Sequence, residues 1–165
     1  MFSPEFSALG IAPELLAALY DLEYQHPSAI QEQSIQLLLE GQNILGTAQT
    51  GTGKTAAYAL PLLQRLHPRK DRRPQALVLT PTRELAIQVA QAIESFARNL
   101  KCTILSVYGG SPMGPQLKRL SSGVDVVVGT PGRLIDHIQR KSLDLSAIEA
   151  VVLDEADEML RMGFI

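Results

Sequence analysis

The chain has 165 residues, of which 45% are hydrophobic and 19% charged, as expected for a globular domain with a full core. Its net charge of -2 excludes a nucleic-acid surface spread over the whole domain, so any such surface must be local. No apolar run approaches the roughly 20 residues of a membrane span, and the N-terminus lacks a secretory pattern, so the predicted location is cytoplasmic. The single cysteine, Cys102, lies in an apolar run and is interpreted as a structural thiol.

Short apolar runs alternate along the chain with longer helical patterns. The predicted strands are residues 43–47, 76–80, 102–108, 124–130 and 150–154. The predicted helices are residues 12–20, 28–39, 54–66, 83–100, 113–120 and 133–140. Strict alternation predicts an α/β fold with a parallel sheet and helices on both faces. Ligands of such folds bind beyond the carboxyl ends of the strands.

The stretch "AQTGTGKT", residues 48–55, follows the first predicted strand and opens a helix. Gly51 and Gly53 would let backbone N–H groups surround a phosphate, Lys54 would meet the outer phosphates, and Thr55 would hold Mg²⁺. Ala48 replaces the first glycine of the general pattern, at little cost if its φ is negative. A plain glycine-rich turn is the alternative. The predicted nucleotide-binding residues here are Ala48, Gln49, Thr50, Gly51, Thr52, Gly53, Lys54 and Thr55.

The strand "AVVLD" leads into "DEAD", residues 154–157. An aspartate at a strand tip can hold Mg²⁺, directly or through water, and the following glutamate can deprotonate the attacking water. We therefore predict Asp154 as a metal ligand and Glu155 as the base, with Lys54 as the third catalytic residue. An acidic first turn of a helix, favoured by the helix dipole, is the alternative.

Several further motifs stand in the order typical of one family. They are "YQHPSAIQ" at residues 24–31 with Phe6 upstream, "PTRELA" at 81–86, "GG" at 109–110, and "TPGR" at 130–133. With the phosphate loop and "DEAD", the chain resembles the first RecA-like domain of a DEAD-box RNA helicase over nearly its whole length. The resemblance implies a three-layer RecA-like P-loop fold over residues 1–165, with ATP and Mg²⁺ as cofactors and RNA as partner. Ala48 agrees with the family's form of the loop.

The Q motif, about residues 6–31, is the adenine-reading segment that the resemblance implies. The amide of Gln31 can pair with adenine, Tyr24 offers a ring for stacking, and Phe6 accompanies them as a nucleotide-binding residue. A solvent-facing Gln31 and a core Tyr24 are the alternative. Glu23 departs from the family, which usually has glycine before the aromatic, so we expect an altered turn at Tyr24.

The RNA-contacting segments implied by the resemblance combine strand ends, helix starts and arginines. Their predicted RNA-binding residues are Pro81, Thr82, Arg83, Gly109, Gly110, Thr130, Pro131, Gly132 and Arg133. Helix N-termini and arginine forks hold backbone phosphates, so binding should be sensitive to salt and independent of sequence. Helix capping with surface arginines is the alternative. The basic run at residues 65–74 is interpreted as a solvated loop, with RNA attraction as the minor alternative.

The family's domain continues to a Ser-Ala-Thr motif on a strand between the phosphate-loop strand and the DEAD strand, and then to a second RecA-like domain. We therefore expect a fragment, incomplete at its C-terminus, that folds poorly alone, binds nucleotide weakly and does not unwind RNA. The implied activity of the parent is RNA-stimulated ATP hydrolysis coupled to local duplex unwinding. Two alternatives remain, another P-loop enzyme such as a nucleic-acid translocase or nucleotide kinase, and a noncatalytic RNA-binding remnant.

Overall fold

A computed structural model describes residues 1–164 of the chain. The helices are α1 (Pro4–Ala8), α2 (Pro13–Asp21), α3 (Ala29–Leu39), α4 (Lys54–Gln64), α5 (Arg83–Phe96), α6 (Met113–Ser122), α7 (Pro131–Gln139) and α8 (Ala156–Arg161). The strands are β1 (Ala76–Leu79), β2 (Ile104–Val107), β3 (Val126–Gly129) and β4 (Ala150–Leu153). All six predicted helices are confirmed. The structure adds the short α1, and α8 is the helix weighed as an alternative for the DEAD segment.

The chain forms two compact units. The first contains residues 1–66 and 92–101, and the second contains residues 67–91 and the chain from Cys102 onward. The first unit is helical, with a core that includes Phe6, Leu15, Ile35 and Leu60, none of which has exposed surface. Its aromatic rings meet edge to face, Phe6 against Tyr24 at 6.3 Å and Tyr24 against Phe96 at 5.8 Å between centroids.

The second unit is built on a parallel sheet with the strand order β2-β3-β1-β4. In β3 the consecutive residues Val126, Val127 and Val128 are all completely buried. Because successive side chains of a strand point to opposite faces, both faces of the sheet must be covered. One core cluster contains Leu77, Val107, Val127 and Leu134. The predicted α/β fold with a parallel sheet is therefore confirmed.

The predicted strand at residues 43–47 is wrong. Within residues 1–164 none of the four strands pairs with this segment, and the side chain of Leu45 is 98% exposed. A five-residue apolar run becomes a strand only when a neighbour accepts its ladder of hydrogen bonds. Strand β4, at one edge of the sheet, also exposes apolar side chains, Val151 at 58% and Leu153 at 47%. The resemblance implies a neighbouring Ser-Ala-Thr strand for β4.

Helix α2 ends in a left-handed turn that aims Tyr24. Glu23 has a φ of 62°, its backbone N–H donates to the carbonyl of Tyr20, and the N–H of Tyr24 donates to the carbonyl of Leu19. This pair of bonds is the Schellman motif, whose left-handed position usually holds glycine. Glu23 therefore keeps the turn, and the expected altered geometry is not found. The cost is a strained backbone, about 1 kcal/mol or more for a residue with a Cβ.

Replacement of Glu23 by glycine should stabilise the chain by about 1 kcal/mol, because glycine adopts this conformation without strain. Urea unfolding of the 165-residue chain measures the effect. Lys141, at φ 58°, ends α7 in the same motif, so Lys141→Gly is the matched control and should stabilise similarly. An unchanged or lowered midpoint for Glu23→Gly beside a raised one for Lys141→Gly would show that the Glu23 side chain offsets its own strain.

Candidate functional site

The carboxyl ends of the four parallel strands lie side by side, in a row that crosses the whole sheet. Gly129 of β3 is in register with Val107 of β2 and with Leu79 of β1, and Leu79 is in register with Leu153 of β4. Each strand is followed directly by one predicted motif. Along this row the order is therefore "GG", "TPGR", "PTRELA" and "DEAD", although the chain order differs. Four segments separated in sequence form one continuous row, which we call the motif edge.

The phosphate loop has the backbone that its glycines were predicted to provide. Gly51 and Gly53 have φ values of 82° and 80°, and helix α4 begins directly afterwards at Lys54. The hydroxyl of Thr52 donates to the carbonyl of Gln49 at 2.6 Å and closes the turn. Ala48 is not among the residues with positive φ, so alanine in place of glycine at this position causes no backbone strain. A Cβ built on Gly51 would meet no other atom within 4 Å, and phosphate binding by the loop stays a prediction.

Gln31 binds the phosphate loop. Its side chain is buried, its Oε1 accepts from the backbone N–H of Ser28 at 2.9 Å, and its Nε2 donates to the carbonyl of Gly53 at 3.0 Å. A Cβ on Gly53 would approach that Nε2 to 2.3 Å, so only glycine allows the contact. The oxygen and the nitrogen of the side-chain amide thus each have a protein partner. The amide oxygen can accept one more hydrogen bond and the amide nitrogen can donate one more, so the adenine contact of Gln31 stays a prediction.

The structure corrects the role of Phe6. Its ring has no exposed surface and packs against Tyr24, so a nucleotide cannot contact it directly in this conformation. Tyr24 is half-buried, and burial raises the pKa of its phenol. Phe6 therefore supports Tyr24 from the core and has no binding surface of its own. The exposed part of Tyr24 keeps the stacking role as a prediction.

Asp154 and Glu155 follow the edge strand β4. The backbone N–H of Asp154 donates to the carbonyl of Leu79 at 2.9 Å, and its side chain is only 4% exposed. Glu155 is half-buried and has the left-handed angles φ 53° and ψ 50°. Strain of this kind, worth about 1 to 3 kcal/mol, is concentrated at functional sites. Among the described residues no cluster of three or more metal-ligating side chains occurs. Mg²⁺ needs only one or two protein ligands beside water and phosphates.

Arg83 connects two of the predicted RNA segments. Its guanidinium lies over the ring of Tyr108 at 5.7 Å from the centroid, and a Cβ on Gly110 would stand 3.5 Å from its Nη1. Arg83 is exposed, as are Gly109 and Gly110. The hydroxyl of Thr82 accepts from the N–H of Leu85 at 3.2 Å and so caps helix α5. Thr82 therefore caps the helix, as the alternative proposed, and Arg83 leaves an exposed basic side chain beside it.

Two prolines among the predicted RNA-binding residues are buried. Pro81 lies two residues beyond the end of β1, and Pro131 occupies the first turn of α7, where its missing N–H costs nothing. Neither presents surface to an RNA. The prediction of direct contact is corrected for both, because each proline shapes the chain between strand and helix. Gly132 is exposed, and Thr130 and Arg133 are half-buried.

A buried polar network that sequence reasoning missed holds Arg133. Its Nη1 donates to the carbonyl of Ser111 at 3.0 Å and to Oε1 of Gln116 at 3.2 Å. The same Oε1 lies 2.7 Å from Nε2 of His137, a residue without exposed surface. Burial, followed by the charge of Arg133, lowers the pKa of His137. The spacing of Arg133 and His137, one helical turn apart in α7, was the only sequence signal for this network.

Two arginines of the basic run before β1 form ion pairs. Arg73 contacts Asp71 at 2.6 Å, and Arg69 lies 3.3 Å from Asp71 and 3.6 Å from Glu149. These ion pairs favour the solvated-loop interpretation over RNA attraction. Cys102 is only partly buried, and burial with the nearby charge of Asp125 raises its pKa to about 11. The thiol therefore stays protonated at neutral pH, as a structural cysteine does.

Comparison with known proteins identifies the family. The sequence profile of the DEAD/DEAH box helicases matches residues 28–165. The chain belongs to the DEAD/DEAH box helicase family. The ATP-dependent RNA helicase DeaD of Escherichia coli strain K12 is 53% identical over 165 residues, which are 99% of this chain and 26% of that protein. The RNA helicase CrhR of Synechocystis is 53% identical over 97% of this chain and 32% of its own length.

Solved structures of DEAD-box proteins share the fold of this family member. A DEAD box protein from the hyperthermophile Methanococcus jannaschii superposes with a TM-score of 0.90 at 43% identity, covering 98% of this chain and 44% of that one. Dbp5 of Saccharomyces cerevisiae, bound to RNA and ADP BeF3, gives a TM-score of 0.86 at 41% identity and covers 96% and 40%. This DEAD-box chain thus has a RecA-like α/β fold and spans about a quarter of the length of DeaD. In the described part of the chain, helices long and apolar enough to cross a bilayer are absent.

Proposed function

We propose that the chain is the ATP-binding and RNA-contacting segment of an ATP-dependent RNA helicase. The observation that carries the proposal is the motif edge, where three predicted RNA segments and the DEAD segment follow four neighbouring strands. DeaD and CrhR, at 53% identity, are named as RNA helicases. The expected activity of the longer protein is RNA-stimulated ATP hydrolysis coupled to local separation of RNA strands.

The nucleotide role rests on the phosphate loop and the DEAD segment, each with its own geometry. Gly51 and Gly53 are left-handed and helix α4 begins directly after them, where its unpaired backbone N–H groups would meet phosphate oxygens. Lys54 adds a positive charge, and Thr55 and Asp154 are the residues that would hold Mg²⁺. When bound, Mg²⁺ neutralises the charge that develops on the phosphates. Glu155 takes the proton of the attacking water, and Gln31 with Tyr24 selects adenine.

The RNA role rests on cations and helix starts at the motif edge. Arg83 and Arg133 lie at the N-termini of α5 and α7, and Gly109, Gly110 and Gly132 allow a sugar-phosphate chain to approach closely. Contacts of this kind do not read base sequence. ATP and RNA would together close this domain on a second RecA-like domain, bend one RNA strand, and release it after hydrolysis.

The proposal is tested with a chimera in which residues 1–165 replace the matching segment of DeaD, hereafter the DeaD chimera. We expect the chimera to hydrolyse ATP, and RNA to stimulate that hydrolysis. GTP should not serve as a substrate in place of ATP. An active chimera without RNA stimulation would favour another P-loop enzyme, and RNA binding without hydrolysis would favour a noncatalytic remnant. The 165-residue chain alone should bind adenine nucleotide weakly and not unwind RNA. RNA-stimulated ATPase activity of this chain alone would contradict that expectation.

Lys54→Ala in the DeaD chimera should weaken ATP binding about tenfold to a hundredfold, because a charge-assisted hydrogen bond contributes roughly 1.5 to 3 kcal/mol. Equilibrium titration with a fluorescent ATP analogue measures the affinity, and RNA affinity measured without nucleotide should stay the same. Lys118→Ala is the control, since Lys118 lies on α6, away from the loop in sequence. Equal ATP affinity of the Lys54 variant and the wild type would remove Lys54 from the site.

A further inference from the structure

Gln116 stands at the centre of a buried network that joins two segments of the motif edge. Its Nε2 donates to the hydroxyl of Ser111 at 2.7 Å and to the carbonyl of Tyr108 at 3.3 Å. Its Oε1 accepts from Nη1 of Arg133 at 3.2 Å and faces Nε2 of His137 at 2.7 Å. One amide therefore holds both sides of Gly109–Gly110 and the arginine of "TPGR".

The hydrogen-bond roles in this network fix its protonation. The Oε1 of Gln116 can only accept, so the facing Nε2 of His137 carries the proton. The other ring nitrogen, Nδ1, lies 2.8 Å from the hydroxyl of Ser142. Gln116 is 6% exposed and His137 is fully buried, so a lost partner would leave a polar group unsatisfied away from water. The network includes the guanidinium of Arg133, so a change at Gln116 removes a hydrogen-bond partner of that arginine.

We propose that Gln116, supported by His137, is a positioning residue that holds Arg133 and the Gly109–Gly110 loop in register for RNA phosphates. The inference rests on the proposed RNA function of Arg133 and goes beyond it. Ser111 accepts from Gln116 through its hydroxyl and from Arg133 through its carbonyl, so the loop and the arginine move together. Pre-organisation of this kind removes the entropic cost of fixing a long arginine side chain at the moment of binding.

The test compares Gln116→Met with Gln75→Met in the 165-residue chain. Gln75 is an equally buried glutamine, 3% exposed, whose amide bonds the backbone of His67 before β1, at the opposite edge of the sheet. Methionine keeps the volume and removes the hydrogen bonds in both variants. Fluorescence anisotropy with a labelled oligouridylate gives the RNA Kd over a range of salt concentrations. Both variants should lose stability, because each leaves buried polar groups unpaired.

Only Gln116→Met should also weaken RNA binding and lower its dependence on salt. We expect its Kd to rise about tenfold and the slope of log K against log salt to fall by about 0.7, the value for one lost phosphate contact on a single strand. In an Arg133→Ala background, Gln116→Met should have less than about a twofold further effect, because contacting residues are not additive. Equal effects of the two glutamine variants, or full additivity with Arg133→Ala, would overturn the proposal.

Two further measurements keep the proposal falsifiable if Gln116→Met folds poorly or the chain binds RNA too weakly. Ser111→Ala removes one bond of the network at a less buried position and should raise the RNA Kd about threefold, in line with the loss of one neutral hydrogen bond. Amide hydrogen exchange of residues 109–112 should accelerate in the Gln116 and Ser111 variants but not in Gln75→Met, with or without RNA. Unchanged exchange there would overturn the positioning role. A DeaD chimera that binds no RNA, beside a 165-residue chain that shows the predicted exchange pattern, would contradict the proposed function alone.

Discussion

Glu155→Gln in the DeaD chimera should reduce ATP turnover by about 10² to 10⁴, the usual contribution of a general base, while ATP and RNA affinity stay near wild type. Glutamine keeps the size of the side chain but cannot take a proton from water. The backbone at Glu155 is left-handed, with φ 53° and ψ 50°, and glutamine keeps a Cβ in that conformation. The substitution therefore removes the charge without changing the turn. Single-turnover hydrolysis separates this loss from a change in nucleotide binding.

Glu158→Gln is the matched control for this variant. Glu158 lies three residues further on in α8 and forms an exposed ion pair with Arg161 at 3.2 Å. Such pairs contribute little, about 1 kcal/mol or less, and we expect turnover to be unchanged. Glu155→Gly extends the test, since glycine should relieve the strained turn and stabilise the chain by about 1 kcal/mol while hydrolysis is lost. Wild-type turnover of the Glu155→Gln chimera would refute the assignment of the base.

Gly53→Ala should weaken ATP binding by the DeaD chimera at least about tenfold, because two costs add at one position. The left-handed φ of 80° costs an alanine roughly 1 to 2 kcal/mol. The new Cβ would also stand 2.3 Å from Nε2 of Gln31, so Gln31 must leave the carbonyl of Gly53. Loss of that hydrogen bond costs about 1 kcal/mol more, because the buried Nε2 of Gln31 loses its acceptor.

Gly51→Ala separates the two costs. Gly51 has nearly the same φ, 82°, but its Cβ would meet no atom within 4 Å. We expect backbone strain alone, with ATP affinity lowered less than in Gly53→Ala. In urea unfolding of the 165-residue chain, Gly51→Ala should likewise lose less stability than Gly53→Ala. Equal losses in both variants would mean that the contact of Gln31 with the loop contributes nothing, and that strain explains the whole effect.

Local signals account for much of what the sequence predicted correctly. Short apolar runs alternating with longer helical patterns identified the six helices and the four strands of the sheet. The left-handed turns at Gly51 and Gly53 were also predictable, because only glycine adopts them without strain. The end of α2 shows the limit of this rule. There the turn persists with Glu23, since the two hydrogen bonds of the Schellman motif offset the strain of one side chain.

Predictions failed where a residue's state depends on distant parts of the chain. The segment at residues 43–47 has the composition of a strand but lacks a paired neighbour in the described structure, and Leu45 is left exposed. Phe6 and the two prolines match the motifs that contain them, yet packing removes their surface. Gln116 reaches Tyr108, Ser111 and Arg133 only because α6 and α7 meet at the motif edge, and neither its residue type nor its position in "MGPQLKRL" indicates that.

By itself the sequence determined the family, the phosphate loop, the acidic strand tip and the alternation of strands with helices, because each depends on residues adjacent in the chain. Only the tertiary structure decided which apolar runs pair, which motif residues keep an exposed surface, and how Gln31 and Gln116 use their amides. Those outcomes depend on hydrogen bonds between segments from 5 to 22 residues apart and on the burial that packing imposes. A buried polar group must find its partner wherever the fold brings one, and the sequence does not record where that is.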